Sequence, residues 1–252
     1  MLEQELRVAV EAARAAGAQV ARLRREGPRY GRKQGWELVS EADVLAAEML
    51  HAALTRPFPD CGWLSEEHED TADRLRRERV WVVDPIDGTR EYLQGIPEYA
   101  ISIGLAIAGC PALGVVYNPA TADLHAATCV GAVESDRLPA PERFEVLIGR
   151  GEHLLDEVPL LPAGASTTPV GSVAYRLALL AAGRGDAVLT GHGRAEWDVA
   201  AGAALCLAAG LRTTDVLGEP IRFNQPRPFV RGLLVASPAL HGLIRAHFDL
   251  NY

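Results

Sequence analysis

One stretch constrains this chain more than any other: the apolar run Val80-Trp81-Val82-Val83 ends abruptly in Asp84-Pro85-Ile86-Asp87-Gly88-Thr89. The run reads as a short buried strand. The proline after it removes one backbone donor and stiffens the turn, which can hold both carboxylates on one side of the loop. Carboxylates held close in a partly dry site repel, so positive charge is expected between them. A hard divalent cation suits the position, because magnesium prefers oxygen ligands and usually keeps waters and substrate phosphate in its shell. Gly88 would let a phosphate approach the backbone, where amides opening a short helix carry about +0.5 charge. The same residues also suit a capped turn in which Asp84 or Asp87 accepts backbone hydrogen bonds. The stretch alone does not choose between these readings.

At 252 residues the chain can bury a substantial core, as one large domain or two closely packed halves. Hydrophobic residues make up 48% and charged residues 23%, the balance of a globular protein without disordered tracts. A formal charge of −8 argues against a nucleic-acid polymer as partner, since phosphate backbones are held by clustered Lys and Arg. The basic cluster between Arg22 and Arg32 reads as a solvated face near a helix end. Cys61, Cys110, Cys129 and Cys206 are scattered without a CxxC pair, so reduced, buried thiols in a cytoplasmic protein are expected. The N-terminal segment is too often interrupted by charge to be a signal peptide or membrane span, and no other stretch is long and apolar enough. A soluble protein with no membrane partner is the expectation.

The N-terminal apolar residues fall at helical spacing and predict an amphipathic helix. Ser40-Glu41-Ala42-Asp43 fits a capping box and predicts a second helix to about Pro57. Residues 66–79 are strongly charged and expected to be exposed for most of their length. Strands are expected over 80–83, 99–108, 113–117 and 124–130, with a turn at Gly109-Cys110-Pro111, forming an antiparallel meander. A proline-rich, polar stretch near 138–143 suggests a boundary between an N-terminal α+β subdomain, 1–138, and a C-terminal α/β subdomain, 139–252. In the second, strands over 144–148, 187–190 and 233–236 alternate with helices over 173–182, 197–209 and 239–248. The fold class expected is α+β, a layered α-β-α-β-α sandwich whose meander half precedes an alternating half.

Two further acidic stretches lie outside the opening motif. Glu66 and Glu67 follow the apolar Trp63-Leu64-Ser65, and alone would read as surface charge. Asp198 opens an Ala-rich helix, where a first-turn acid is favoured by the helix dipole.

Together, LVSEAD (38–43), WLSEE (63–67), WVVDPIDGT (81–89), GS followed by AYRLALLAAGRGDAVL (171–189) and WDVAAGAAL (197–205) resemble the inositol monophosphatase family of magnesium-dependent phosphatases. The match covers most of the chain in order. The resemblance implies that Glu66 and Asp84, with the main-chain carbonyl of Ile86, bind one magnesium. Asp84, Asp87 and Asp198 would hold a second, with two or three ions in all. Thr89, paired with Asp43, would orient and deprotonate the attacking water, which adds catalysis to the capping role of Asp43. The amides of Gly88 and Thr89 would contact phosphate, alongside Asp87 and Asp198. Phosphoryl transfer asks little more of a protein than positioning and charge neutralisation.

The substrate is less legible. Members of the family often carry a glutamate seven residues before the W-D aspartate, contacting sugar-like hydroxyls; Gly191 stands there in this chain. Arg90-Glu91-Tyr92 resembles the 3'(2'),5'-bisphosphate nucleotidase branch, whose members remove the 3'-phosphate of adenosine 3',5'-bisphosphate, although Arg90 and Glu91 also suit a surface helix pair. His192 and Arg194 could add charge for a second phosphate, and Arg32 or Lys33 stands about where the family places a lysine near the metal. The resemblance thus implies a small phosphate ester as substrate, leaning to that bisphosphate, with inositol 1-phosphate or histidinol phosphate as alternatives. It also suggests lithium inhibition and a homodimer. A non-catalytic binding module on the same fold is the reading of another class.

Overall fold

The computed structural model describes residues 2–32, 38–134 and 139–251. In chain order these form α1 (Glu3–Glu26), β1 (Tyr30–Arg32), β2 (Leu38–Ser40), α2 (Glu41–Thr55), β3 (Gly62–Ser65), β4 (Arg79–Asp87), α3 (Thr89–Gln94), β5 (Ala100–Ile107), β6 (Cys110–Asn118) and β7 (Asp123–Thr128). The rest comprises β8 (Phe144–Gly149), α4 (Arg150–Leu154), β9 (Ala165–Val170), α5 (Val173–Ala181), β10 (Ala187–Thr190), β11 (Arg194–Ala195), α6 (Glu196–Ala208), β12 (Arg212–Thr214), β13 (Phe229–Val230), β14 (Leu233–Ala236) and α7 (Pro238–Asn251). The expected boundary at residue 138 falls on segment 135–138, outside the described residues.

Local chemistry accounts for the main helices. Ala9, Ala12, Ala13, Ala16 and Val20 recur at helical spacing and are all buried along α1, which stops at Gly27 with φ of 84°. Ser40 caps α2, and Asp43 returns the bond to the Ser40 amide at 2.8 Å, as the capping box predicts. No helix among the described residues is long and apolar enough to cross a membrane.

A five-stranded sheet runs β3-β4-β5-β6-β7, and a second runs β12-β14-β10-β8-β9. β4 to β7 form the predicted antiparallel meander, with β3 added parallel to β4 at the edge. In the second sheet β8 is parallel to β9 and β10, while β14 is antiparallel to β10 and β12. Helices α1 and α2 pack on the outer face of the first sheet, α5 and α6 lie between the sheets, and α7 packs on β14. This is the α-β-α-β-α sandwich that the sequence predicts. Strand β4 serves two layers: Val80 and Val82 enter the core with α5 and α6, while Trp81 and Val83 enter the core with α1 and α2.

Some expectations shift. β9 was not anticipated, because ASTTPV is polar and carries a proline; it is an edge strand, where a missing donor is tolerated. The reversal expected at 109–111 occurs at Ala108 and Gly109, whose φ values of 49° and 75° make a two-residue turn, so Cys110 and Pro111 already belong to β6. Cys129 and Cys206 are buried free thiols as expected, but Cys110 is exposed and Cys61 half-buried. Within the charged stretch 66–79, Arg74 is only 2% exposed, because it bonds Asp70, the Asn224 side chain and the Gln225 carbonyl.

The contact that seats α6 is unusually close. A Cβ at Gly104 of β5 would lie 2.8 Å from the Ala200 Cβ, and one at Gly114 of β6 would overlap the Ala201 carbonyl oxygen. The Ala-rich helix therefore lies on the sheet nearly backbone to backbone. Gly114→Ala should destabilise the fold by about 1–3 kcal/mol, since overpacking forces backbone shifts. Urea unfolding monitored by circular dichroism checks this, and an unchanged midpoint would contradict it.

His241 of α7 is 4% exposed, with Nε2 2.8 Å from the Thr214 hydroxyl. Burial, helped by Arg212 and Arg245, holds its pKa down to about 4 from an ordinary 6.5. The unfolded chain therefore takes up this proton first, and the stability due to the neutral ring is lost as pH falls from 6.5 towards 4. Chemical unfolding midpoints should decline across that window, and His241→Gln should flatten the decline.

Candidate active site

β4 pairs Asp84 with Ser102 and Asp87 with Ala100, so an irregularity in the ladder accommodates Pro85 and Ile86 and turns both acids out at the strand end. Asp84 is 1% exposed and Asp87 8%. Asp198 arrives from the first turn of α6. Each of the three aspartates offers a carboxylate oxygen, and these oxygens lie within 4.8 Å of one another. Glu66 joins the same cleft through strand register: Ser65, the last residue of β3, pairs with Val83 in parallel, so Glu66 follows the strand end beside Asp84 of β4.

Hydrogen bonds fix the Asp84 and Asp87 carboxylates. Asp84 accepts the Ile86 amide at 2.9 Å on one oxygen. Asp87 uses Oδ2 to accept the Ser172 hydroxyl and the Ala174 amide, both at 2.6 Å, at the start of α5. Burial pushes Asp84 well above the usual carboxylate range, followed by the charges of Glu66, Asp87 and Asp198. Burial raises Asp198 likewise, followed by the charges of Asp87 and Glu66. Asp87 is raised by burial against the opposing effect of Ser172, Ala174, Arg176 and Arg194. An all-oxygen donor set this close, strained by mutual repulsion, fits a hard divalent cation.

A second group stands beside the acids. The Thr89 hydroxyl donates to Asp43 Oδ1 at 2.9 Å, with the Ile86 carbonyl 3.1 Å away. The other oxygen of Asp43 accepts the Ser40 amide at 2.8 Å and the Ser40 hydroxyl at 2.5 Å. One carboxylate thus caps α2 and accepts the Thr89 hydroxyl at once. Gly88 precedes α3 with φ of 94°, and a Cβ there would lie 3.0 Å from the Glu98 carbonyl oxygen. The left-handed φ and this crowding both favour glycine at the turn.

The cleft, about 750 Å³ in volume, extends from these acids to a basic half. Glu152 accepts the Gly149 amide at 2.9 Å, Arg194 at 3.1 Å and the Thr190 hydroxyl. Arg176 is completely buried with Nη1 3.6 Å from Glu152, and none of its guanidinium nitrogens has a hydrogen-bond partner among the described residues. Burial, with Arg194 nearby, pulls its pKa down to about 10. Arg150 lines the same cleft and is held by Glu98.

The structure gathers Glu66, Asp84, Ile86, Asp87, Gly88, Thr89 and Asp198 around one cleft, with Asp43 directly behind Thr89. Arg194 lines it, whereas His192 does not and lies 3.1 Å from Glu157. Arg32 is exposed on β1 and does not line the cleft; Lys33 lies outside the described residues. Glu91 is no surface partner of Arg90: it is 7% exposed beneath Gly171, where a Cβ would strike it. Sequence reading missed Ser172, Glu152, Arg150 and Arg176. The available signals were a serine just before a helix and one arginine within the apolar AYRLALL.

Comparison with known proteins agrees with this geometry. The profile described as inositol monophosphatase family matches residues 1–250. The chain is 33% identical over 230 residues to an inositol-1-monophosphatase of Mesorhizobium japonicum, covering 84% of this chain and 86% of the relative. It is 32% identical over 248 residues to a 3'-phosphoadenosine 5'-phosphate phosphatase of Mycobacterium bovis, covering 91% and 89%. The solved extragenic suppressor protein suhB of Bartonella henselae superposes with a TM-score of 0.80 at 26% identity, covering 97% of this chain and 98% of that one. The acid cluster, the fold and the match along nearly the whole chain lead to one conclusion: this protein belongs to the inositol monophosphatase family, phosphatases that hydrolyse phosphomonoesters.

Proposed function

We propose that this phosphatase is magnesium-dependent, uses Asp43 and Thr89 to ready the attacking water, and acts on adenosine 3',5'-bisphosphate. Glu66, Asp84, Asp87, Asp198 and the Ile86 carbonyl would hold the metal, as two or three ions. When bound, magnesium neutralises phosphoryl oxygens and makes water a better nucleophile. With its proton directed to Asp43, Thr89 keeps oxygen lone pairs able to accept a hydrogen bond from that water. The amides of Gly88 and Thr89 meet the phosphate. A homodimer belongs to the same reading.

The observation that carries the substrate is the basic half of the cleft. Arg176 and Arg194 share one carboxylate, Glu152, which leaves net positive charge beyond the acid cluster, where a second phosphate would lie. The mycobacterial relative carries a name of this substrate class. The competing cyclitol reading has the Mesorhizobium relative in its favour. Against it, Gly191 stands where the family's sugar-contacting glutamate is common.

Asp87→Asn should abolish magnesium-dependent hydrolysis, and full retained activity would refute the metal site. Ser172→Ala should weaken magnesium affinity about 10–100-fold by freeing the Asp87 carboxylate, read by calorimetric titration. For substrate, kcat/KM on one preparation should favour adenosine 3',5'-bisphosphate over inositol 1-phosphate, and the reverse order would overturn the nucleotide reading. Arg194→Met should lower kcat/KM for the bisphosphate about tenfold, the scale of one charged hydrogen bond.

A further inference from the structure

Among the described residues two aromatics line the cleft, the half-buried Trp197 and Phe229, which is 66% exposed. Its backbone, by contrast, is held firmly. Phe229 pairs with Ala195 in the β11–β13 ribbon, while Arg194 pairs with Val230. The Phe229 amide donates to the Arg227 carbonyl at 2.8 Å, and the Glu196 amide donates to the Pro228 carbonyl at 2.9 Å. Glu196 also accepts the Asn224 and Gln225 amides at 2.6 and 2.9 Å, tying the preceding loop to the start of α6. The ring is therefore carried on a frame fixed to the helix that bears Asp198, three residues beyond Ala195. An accessible aromatic face on a pre-ordered backbone is suited to stack a flat ring, because little ordering remains to be done on binding. A phenyl ring offers no hydrogen bond to a polyhydroxylated cyclitol.

We propose that Phe229 is the stacking platform for the base of the substrate and sets preference for nucleoside over cyclitol phosphates; this rests on the nucleotide reading above. The ring meets the base while Arg194, one rung along the ribbon, meets the second phosphate.

The test compares wild type, Phe229→Ala and Phe229→Trp on adenosine 3',5'-bisphosphate, inositol 1-phosphate, 1-naphthyl phosphate and glycerol 2-phosphate. For Phe229→Ala, the ratio of kcat/KM for the bisphosphate to that for inositol 1-phosphate should fall about tenfold, mostly through KM, and Phe229→Trp should restore it. An equal loss on both substrates, or none, overturns the platform. A wild type that prefers inositol 1-phosphate refutes the nucleotide reading instead. The platform is then decided by 1-naphthyl phosphate against glycerol 2-phosphate, where a fallen ratio in Phe229→Ala supports it and an unchanged ratio overturns it.

Discussion

Everything in the cleft depends on how closely α6 lies on the first sheet. Asp84 and Asp198 are 114 positions apart in sequence (198 − 84), and no local preference brings them together. Gly104 and Gly114 on the sheet, met by Ala200 and Ala201 on the helix, let the two backbones touch. On the other flank of the helix a Cβ at Gly202 would strike Leu177 of α5, so α5 is drawn in just as tightly. That second contact seats Ser172 and Arg176, one beside Asp87 and the other in the basic half of the cleft. Close packing of this kind tolerates little change in volume, which makes the position of Asp198 a property of the core.

The cleft joins fields of opposite sign. At one end, aspartates crowd together in a buried pocket and drive one another's pKa upward. At the other, Arg176 and Arg194 favour the charged form of Asp87 and surround Glu152. A phosphomonoester, the substrate class of the family, is an anion and suits a cleft in which arginines stand beside acids that could hold a cation. Two of the acids are fixed by hydrogen bonds from helix starts, Asp87 by Ser172 and Ala174 and Asp43 by Ser40. Capping and site organisation are thus one set of interactions.

Much of this could be read in advance, and particular residues show why. Val80 to Val83 declare a buried strand because four bulky residues have no polar face to offer water, and Ser40 with Asp43 declares a helix start because the capping bonds are local. Ser172 and Arg176 lie in the matched stretch 171–189 but carried no site role, because a serine before a helix usually caps it, which Ser172 also does by accepting the Tyr175 amide. Its bond to Asp87 spans 85 residues and has no trace in local pattern. For Glu91 a surface pair with Arg90 stood as the alternative to a motif role, and the approach of Gly171 rules that pair out by covering the side chain.

The sequence by itself determined the chemistry: acids at a strand end, a glycine-threonine step after them, and an aspartate opening a small-residue helix, in an order shared with one phosphatase family. Tertiary structure alone decided which residues complete the site. The docking of α5 and α6 places Ser172 and Arg176, and the β11–β13 ribbon brings Phe229 to the cleft. The physical reason is range: capping, turns and strand patterning act within a few residues, whereas a shared electrostatic pocket is built from contacts that exist only after the layers have packed.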